Sequence, residues 1–275
     1  MIIDQFDLKD KVTVITGSSG LLGSAICESI AAREGNLVLL DIDNKALKQQ
    51  RKTLEDKYST EILALKVDIT SEAQVKKACE TSIKRFKKID GLINNAANNP
   101  SFKNTKKKNF SRLENFPIDQ WNRDISISLT GAFLCSKYFG TAISKTSPSG
   151  SIINISSDLG LIAPDQRLYS AKDKDPLQQN VKPVTYSVAK TGIIGLTRYL
   201  STYWNNGNIR SNALCPGGIE DGQPADFIKK LNRKIPLGRM AKTSDYTGII
   251  IFLLSDSSSY MNGAVIPIDG GRTAW

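Results

Sequence analysis

"VTVITGSSGLLG", residues 12–23, decides the fold. Five β-favouring residues run straight into Gly17, Gly20 and Gly23, and apolar residues then recur at helical spacing to about residue 33. Gly17 permits a tight turn, while Gly20 and Gly23 let backbone approach closely. The helix that follows presents free N–H donors and its positive dipole end to a pyrophosphate. Three glycines alone are weak evidence. Between a strand and a helix, with an acid closing the next strand, they read as a dinucleotide-binding turn. That acid is Asp41, at the end of "NLVLLD" (36–41) and 18 residues after Gly23. Its carboxylate can accept hydrogen bonds from both adenosine ribose hydroxyls and would repel a 2′-phosphate. No Arg follows closely, since residues 42–44 are Ile, Asp and Asn. The expected cofactor is NAD rather than NADP. A bare turn at Asp41 would leave its spacing from the glycines unexplained.

Outward from this stretch, strand-like runs alternate with helical ones. "ILALKVD" (62–68), "IDGLINN" (89–95), "GSIINISS" (150–157), "IRSNALCPGG" (209–218) and "GAVIPIDGG" (263–271) read as strands. Helical patterns cover about 44–57, 71–86 with Ser71 as N-cap, 118–145, 185–204 and 244–256. Alternation of this kind implies a parallel sheet covered on both faces, and near-continuous apolar strands agree. The expected fold class is α/β, a single-domain Rossmann-type doubly wound sheet of about seven strands spanning residues 1–275. Asp68 closes the third strand, where it would touch the adenine amino group or begin a turn. Asn94 closes the fourth, to tie neighbouring strands together or to line the cofactor cleft. Two stretches resist assignment, 98–116 and 161–183, and long loops in a compact domain are often lids or binding loops.

A chain of 275 residues suits one large domain. No apolar run reaches the ~18 residues of a membrane span. The start, "MIIDQFDLKDK", lacks a signal-peptide layout, so the cytoplasm is expected. The four cysteines, Cys27, Cys79, Cys135 and Cys215, match no zinc spacing and read as reduced packing residues. There is no His, which removes the commonest general base and metal ligand. No metal site is expected, and catalysis must rest on Tyr, Lys, Ser, Asp, Glu or Cys. The formal charge of +10 is partly local, with Lys103, Lys106, Lys107, Lys108 and Arg112 in one segment. That segment reads as a solvated basic loop or as the receiver of an anionic substrate. Basic and aromatic residues do not interleave as in a nucleic-acid surface.

Two stretches hold a Tyr with a nearby Lys: "TYSVAKTG" (185–192) and "LYSAKD" (168–173). Tyr186 and Lys190 are four apart on a helical pattern and share a face. Tyr169 has Lys172 three positions on, in a segment broken by Pro164, Pro176 and Pro183. Tyr186 with Lys190 is therefore the working pair.

"TGSSGLLG", "NNAA", "INISS", "YSVAK" and "CPGG", in this order, resemble the short-chain dehydrogenase/reductase family over nearly the whole chain. The resemblance implies a nicotinamide-dependent oxidoreductase with a centre of Ser157, Tyr186 and Lys190. It implies cofactor contacts from Gly17, Ser19, Gly20, Leu22 and Asp41 at the nucleotide end, and from Asp68, Ile69, Asn95 and Ala96 beyond it. Tyr186, Lys190, Pro216, Gly217 and Ile219 would lie near the nicotinamide, with the Gly217–Gly218–Ile219 backbone close by and a mobile lid after it. A positive Lys190, together with the oxidised nicotinamide, would lower the Tyr186 pKa from about 10. Tyr186 would then exchange a proton with an alcohol or carbonyl, and Ser157 would hydrogen-bond the substrate oxygen. Homodimers or homotetramers are implied as well.

Tyr169 lies 12 residues after Ser157, near the family's usual Tyr position, whereas Tyr186 lies 29 after it. Segment 161–183 thus reads as an insertion over the substrate cleft, with Tyr169, Arg167 and Gln166 as candidate contacts. Two positions depart from the family pattern. Leu21 stands where the second glycine of TGxxxGxG is expected, and Ser128 stands where an Asn supports a water-linked proton relay. "GLLG", "LIAP", "CPGGIEDGQP" and "LLSDSSSYMNG" more loosely resemble bacterial oxidoreductases of flagellin and surface-sugar modification, which implies a sugar or sugar-phosphate substrate, with other reducible carbonyls, including acyl thioesters and polyols, as the alternatives. The alternative from another class is a non-catalytic NAD(H)-sensing regulatory protein of the same fold.

Overall fold

In the computed structural model, which describes residues 6–98, 109–170, 175–204 and 208–275, seven parallel strands form one sheet. They are β1 (Val12–Thr16), β2 (Asn36–Asp41), β3 (Ile62–Lys66), β4 (Gly91–Asn94), β5 (Gly150–Ile155), β6 (Ile209–Pro216) and β7 (Val265–Ile268). Their order is β3-β2-β1-β4-β5-β6-β7. The order reverses direction between β1 and β4, and the crevice above that point is where such sheets bind ligands.

Alternation within the strands divides the core into two layers. Val12, Val14, Val38 and Leu40 pack on one face with Phe139, Ile143 and Leu200. Ile15, Leu37 and Leu39 pack on the other with Ile26, Ile30, Leu47 and Ile250. The second face is covered by α1 (Leu21–Ala31), α2 (Asn44–Lys57) and α9 (Ser244–Leu254). The first is covered by α3 (Glu72–Phe86), by α4 (Ile118–Ile125), α5 (Gly131–Cys135) and α6 (Thr141–Thr146), and by α7 (Val184–Tyr203). Helices α4 to α6 run on as one helical stretch through π turns at Ser126–Thr130 and Ser136–Gly140, matching the long helix expected there. Among the described residues, no helix is long and apolar enough to cross a membrane.

Three details differ from the sequence reading. Ser71 occupies the N-cap position of α3 but its hydroxyl makes no capping bond. The segment after β6 is not all loop, because α8 (Ala225–Asn232) forms within it. Pro224 precedes this helix, Asp226 sits in its first turn, Lys229 and Lys230 in its last, and Leu231 is buried against Leu168 and Met240. The two unassigned loops also pack on one another. Asn109 donates from Nδ2 to Gln178 O (3.1 Å) and Asn180 Oδ1 (2.9 Å), Val181 N–H donates to Ser111 Oγ (3.2 Å), and Arg112 donates to Pro176 O. Arg112 is also paired with Glu114 and is not free for an anion. Lys103, Lys106, Lys107, Lys108, Lys172 and Asp173 lie outside the described residues.

Candidate active site

Two cavities open side by side at the C-terminal ends of the strands, one of about 690 Å³ and one of about 730 Å³, and both touch Leu22, Asn95 and Ala97. The first is the nucleotide groove. Gly17, with φ +60°, turns the chain out of β1. A Cβ on Gly23 would lie 2.2 Å from Gly17 O, so the first turn of α1 is packed as closely as backbone allows. At Gly20 the nearest atom would be 3.4 Å from a Cβ, which is ordinary contact. Leu21 is tolerated where a glycine was expected because its side chain turns outward, half-exposed, at the groove's edge.

Asp41 ends β2 in this groove. Its Oδ2 accepts from Ser19 N–H (2.9 Å) and its Oδ1 from Asp43 N–H (3.0 Å), which fastens the glycine turn to the adjacent strand end. Asp68, Ile69 and Ala96 line the same groove. Asp68 Oδ1 accepts from Thr70 N–H and Oγ1, so its turn-starting role is visible directly. Asn95 donates from Nδ2 to Thr16 O and Gly17 O. Asn94 instead donates to Asn154 Oδ1 (2.7 Å) and Ser136 Oγ (3.1 Å), tying β4 to β5 and to the helical layer behind them. The groove, its close-packed glycine turn and the strand-end acid fit a dinucleotide.

The second cavity holds Ser157, Tyr186 and Lys190, with Pro216, Gly217 and Ile219 on its wall. Ser157 follows β5; its Oγ donates to Asp158 Oδ1 (2.8 Å) and accepts from Leu159 N–H (3.2 Å). Tyr186 and Lys190 both sit near the start of α7. Lys190 Nζ donates to Ile155 O (2.8 Å), and Ser156 Oγ donates to Lys190 O (2.6 Å), so α7 is pinned to the end of β5. Burial pushes Lys190 down to about 8, and nearby Lys182 pushes it the same way.

The expectation that Lys190 lowers the Tyr186 phenol is not what the free protein does. Burial raises that phenol, and the opposing downward influence is first the Ser157 side chain and then Arg272. Lys190 Nζ is 5.9 Å from the Tyr186 ring centroid and is tied to a carbonyl. Lys182 is closer, at 3.8 Å over the ring face. Ser128 lines a narrow crevice with Asn98, Asp124, Tyr186 and Lys190, so a hydroxyl stands beside the pair where an Asn was expected.

Of the three residues offered from 161–183 as substrate contacts, only Tyr169 lines the cavity. Its ring packs on Phe227 at 5.5 Å, and burial raises its phenol to about 12. Arg167 is exposed and paired with Asp165, and Gln166 Oε1 accepts from Lys182 N–H. Three cavity residues escaped sequence reading: Lys182, Asp158 and Arg272. Arg272 Nη1 reaches Asp158 Oδ2 at 2.5 Å, a buried pair that joins the C-terminal segment to the residue after Ser157. The "SSD" triplet was a local signal for Asp158, whereas nothing near Arg272 in sequence announces a partner 114 positions away.

Comparison with known proteins agrees with this geometry. A family model described as enoyl-(acyl carrier protein) reductase, of the short-chain dehydrogenase/reductase type, matches residues 17–273. Post-translational flagellin modification protein A of Campylobacter coli is 31% identical over 264 residues, covering 96% of this chain and 98% of that protein. Trans-4-hydroxycyclohexanecarboxylate dehydrogenase of Sinomonas cyclohexanicum is 32% identical over 276 residues, covering 96% and 93%. A short-chain dehydrogenase from Leptospira borgpetersenii, solved with bound NAD+, superposes with a TM-score of 0.80 at 31% identity, covering 99% and 97%. The chain belongs to the short-chain dehydrogenase/reductase family, whose members use NAD(P), and is an oxidoreductase.

Proposed function

We propose that the protein is an NAD(H)-dependent dehydrogenase/reductase acting on a secondary alcohol or ketone, with Ser157, Tyr186 and Lys190 as its catalytic residues. The observation that supports this most is their shared cavity, which meets a nucleotide groove lined by Asp41 at the end of β2. Glycine-turn backbone around Gly17, Ser19, Gly20 and Leu22 would hold the pyrophosphate, and Asp41 the adenosine ribose. Asp68, Ile69, Asn95 and Ala96 would border the adenosine side, and Pro216, Gly217 and Ile219 the nicotinamide side. When bound, NAD(H) accepts or supplies the hydride.

The chain's own groups handle the proton and the developing charge. Ser157 and Tyr186 hydroxyls hold the substrate oxygen. In oxidation Tyr186 Oη takes the carbinol proton, and in reduction it returns one. The phenolate must form inside a buried site that disfavours it, and Ser157 offsets part of that cost by hydrogen bonding to the charged form. Lys190 adds positive charge at the same end of α7.

The likeness to the flagellin modification protein supports a sugar or sugar phosphate of surface-polysaccharide or flagellin modification as substrate. Exposed Phe133, Tyr199 and Tyr203 on α5 and α7 support a homodimer or homotetramer. Four unpaired, buried cysteines support a reducing compartment, the cytoplasm.

Tyr186→Phe tests the reading. Turnover with any accepted alcohol should fall by about 10²- to 10⁴-fold, the usual worth of a positioned acid–base group. NADH binding, followed by fluorescence, should be retained. Full turnover in this variant would defeat the catalytic assignment of Tyr186, and NADH binding without turnover of any alcohol or ketone by the unaltered chain would favour a cofactor-sensing role.

A further inference from the structure

Among the described residues, each charged group on the substrate cavity but one is held by a carboxylate, a cation or a carbonyl. Asp158 is matched by Arg272, Asp226 by Lys230 at 2.7 Å, and Lys190 is bound to Ile155 O. Lys182 remains. Its ammonium lies 3.8 Å from the Tyr186 ring centroid, and among the described residues no carboxylate pairs with it. It is not a free-swinging surface lysine. Its backbone N–H is held by Gln166 Oε1 at 2.8 Å, and Pro183 follows it directly into α7.

Lys182 is half-buried, and a cation partly withdrawn from water without a counter-charge carries a free-energy cost. Burial and Arg272 both depress the Lys182 pKa, and Asp158 offsets this only in part. The Tyr186 ring face supplies some attraction. An anion brought in by the substrate would supply the rest. The same cavity is also lined by Tyr169, Phe227, Leu231 and Met240, apolar surface available to pack against carbon.

We propose that Lys182 seats an anionic group of the substrate, a carboxylate or a phosphate, a short spacer away from the carbinol held by Ser157 and Tyr186. The site selects hydroxy or keto compounds bearing such a group over their neutral counterparts. This deepens the reading above and relies on it for the place of the carbinol, whereas the anion seat itself is independent of turnover. Lys182 is thus a specificity residue, contributed by a loop and not by the family's motifs.

The test is anion binding to NADH-saturated protein, so that the glycine turn is already filled. Inorganic phosphate and acetate are titrated separately by calorimetry into the unaltered chain, Lys182→Gln and Lys182→Arg. At least one ion should bind the unaltered chain and Lys182→Arg, and Lys182→Gln should weaken it at least tenfold while NADH affinity and melting temperature hold. Preference for one ion names the source of the charge. If neither ion binds the unaltered chain, or if Lys182→Gln binds as well as it does, the proposal is overturned. Those outcomes leave hydride transfer untouched, because that is judged by Tyr186→Phe turnover.

Discussion

The two halves of the cleft are built differently. The nucleotide half is made of strand ends and the turn that follows β1, and its groups are fixed by backbone: Gly23 against Gly17 O, Asp41 against Ser19 N–H, Asn95 against Thr16 O. The substrate half places Ser157, Tyr186 and Lys190 on the end of β5 and the start of α7, but takes its remaining walls from loops, α8 and the C-terminal segment. Recognition of an invariant ligand is carried by regular structure with little freedom to change. Recognition of a variable ligand is carried by side chains on irregular chain.

Substitutions can break or sharpen this contrast. After Tyr186→Phe, the largest effect is expected at Ser157 in the substrate half. Ser157→Ala should cost about 10²- to 10³-fold in kcat, as for loss of one donor to a charged oxygen. It should also move the rising limb of the pH profile for oxidation. Oxidation needs the phenolate, so its rate rises with pH through the Tyr186 pKa. Ser157 lowers that pKa, so its removal should shift the limb to higher pH. A limb that stays put would separate Ser157 from Tyr186.

Next in size is a paired change in the glycine turn. Gly23→Ala forces a methyl to 2.2 Å from Gly17 O and should weaken NADH by about tenfold or more, an increment of about 1.4 kcal/mol per tenfold. Gly20→Ala meets nothing nearer than 3.4 Å and should stay within about twofold. Equal losses, measured by cofactor fluorescence, would mean that the turn is not held by packing.

A tenfold effect, and no loss of turnover, is expected at Asp41. Asp41→Ala removes the charge that faces a 2′-phosphate and frees Ser19 N–H to donate to one. The NAD-to-NADP ratio of kcat/KM should fall about tenfold, from loss of like-charge repulsion at short range. An unchanged ratio would take the cofactor preference away from this carboxylate.

The same contrast explains what could be read from sequence. Apolar strands and helical spacing announced β1 to β7 and most helices because burial on both sides of a sheet imposes a local pattern. Gly17, Asp41, Tyr186 and Lys190 were legible because their spacing is set by strand and helix geometry. Arg272 was not, since its partner is far along the chain and the contact is purely tertiary. Lys182 was passed over beside the more conspicuous Tyr169 and Arg167, of which Arg167 turned out to be bound to Asp165 on the surface. Helix α8 was hidden by its short length and by the prolines and glycines before it. A helical spacing of four brings Tyr186 and Lys190 to one face but does not say what else each will bond, and without the nicotinamide Lys190 Nζ is held by Ile155 O.

The bonds between the Asn109–Arg112 stretch and the Pro176–Val181 stretch run from loop to loop and not from loop to sheet. Such a pair forms a module that can be exchanged as a unit. Transplanting both pieces together from a relative should re-specify what the enzyme accepts while the machinery for hydride exchange stays in place, whereas moving either piece alone would leave the other without its supports.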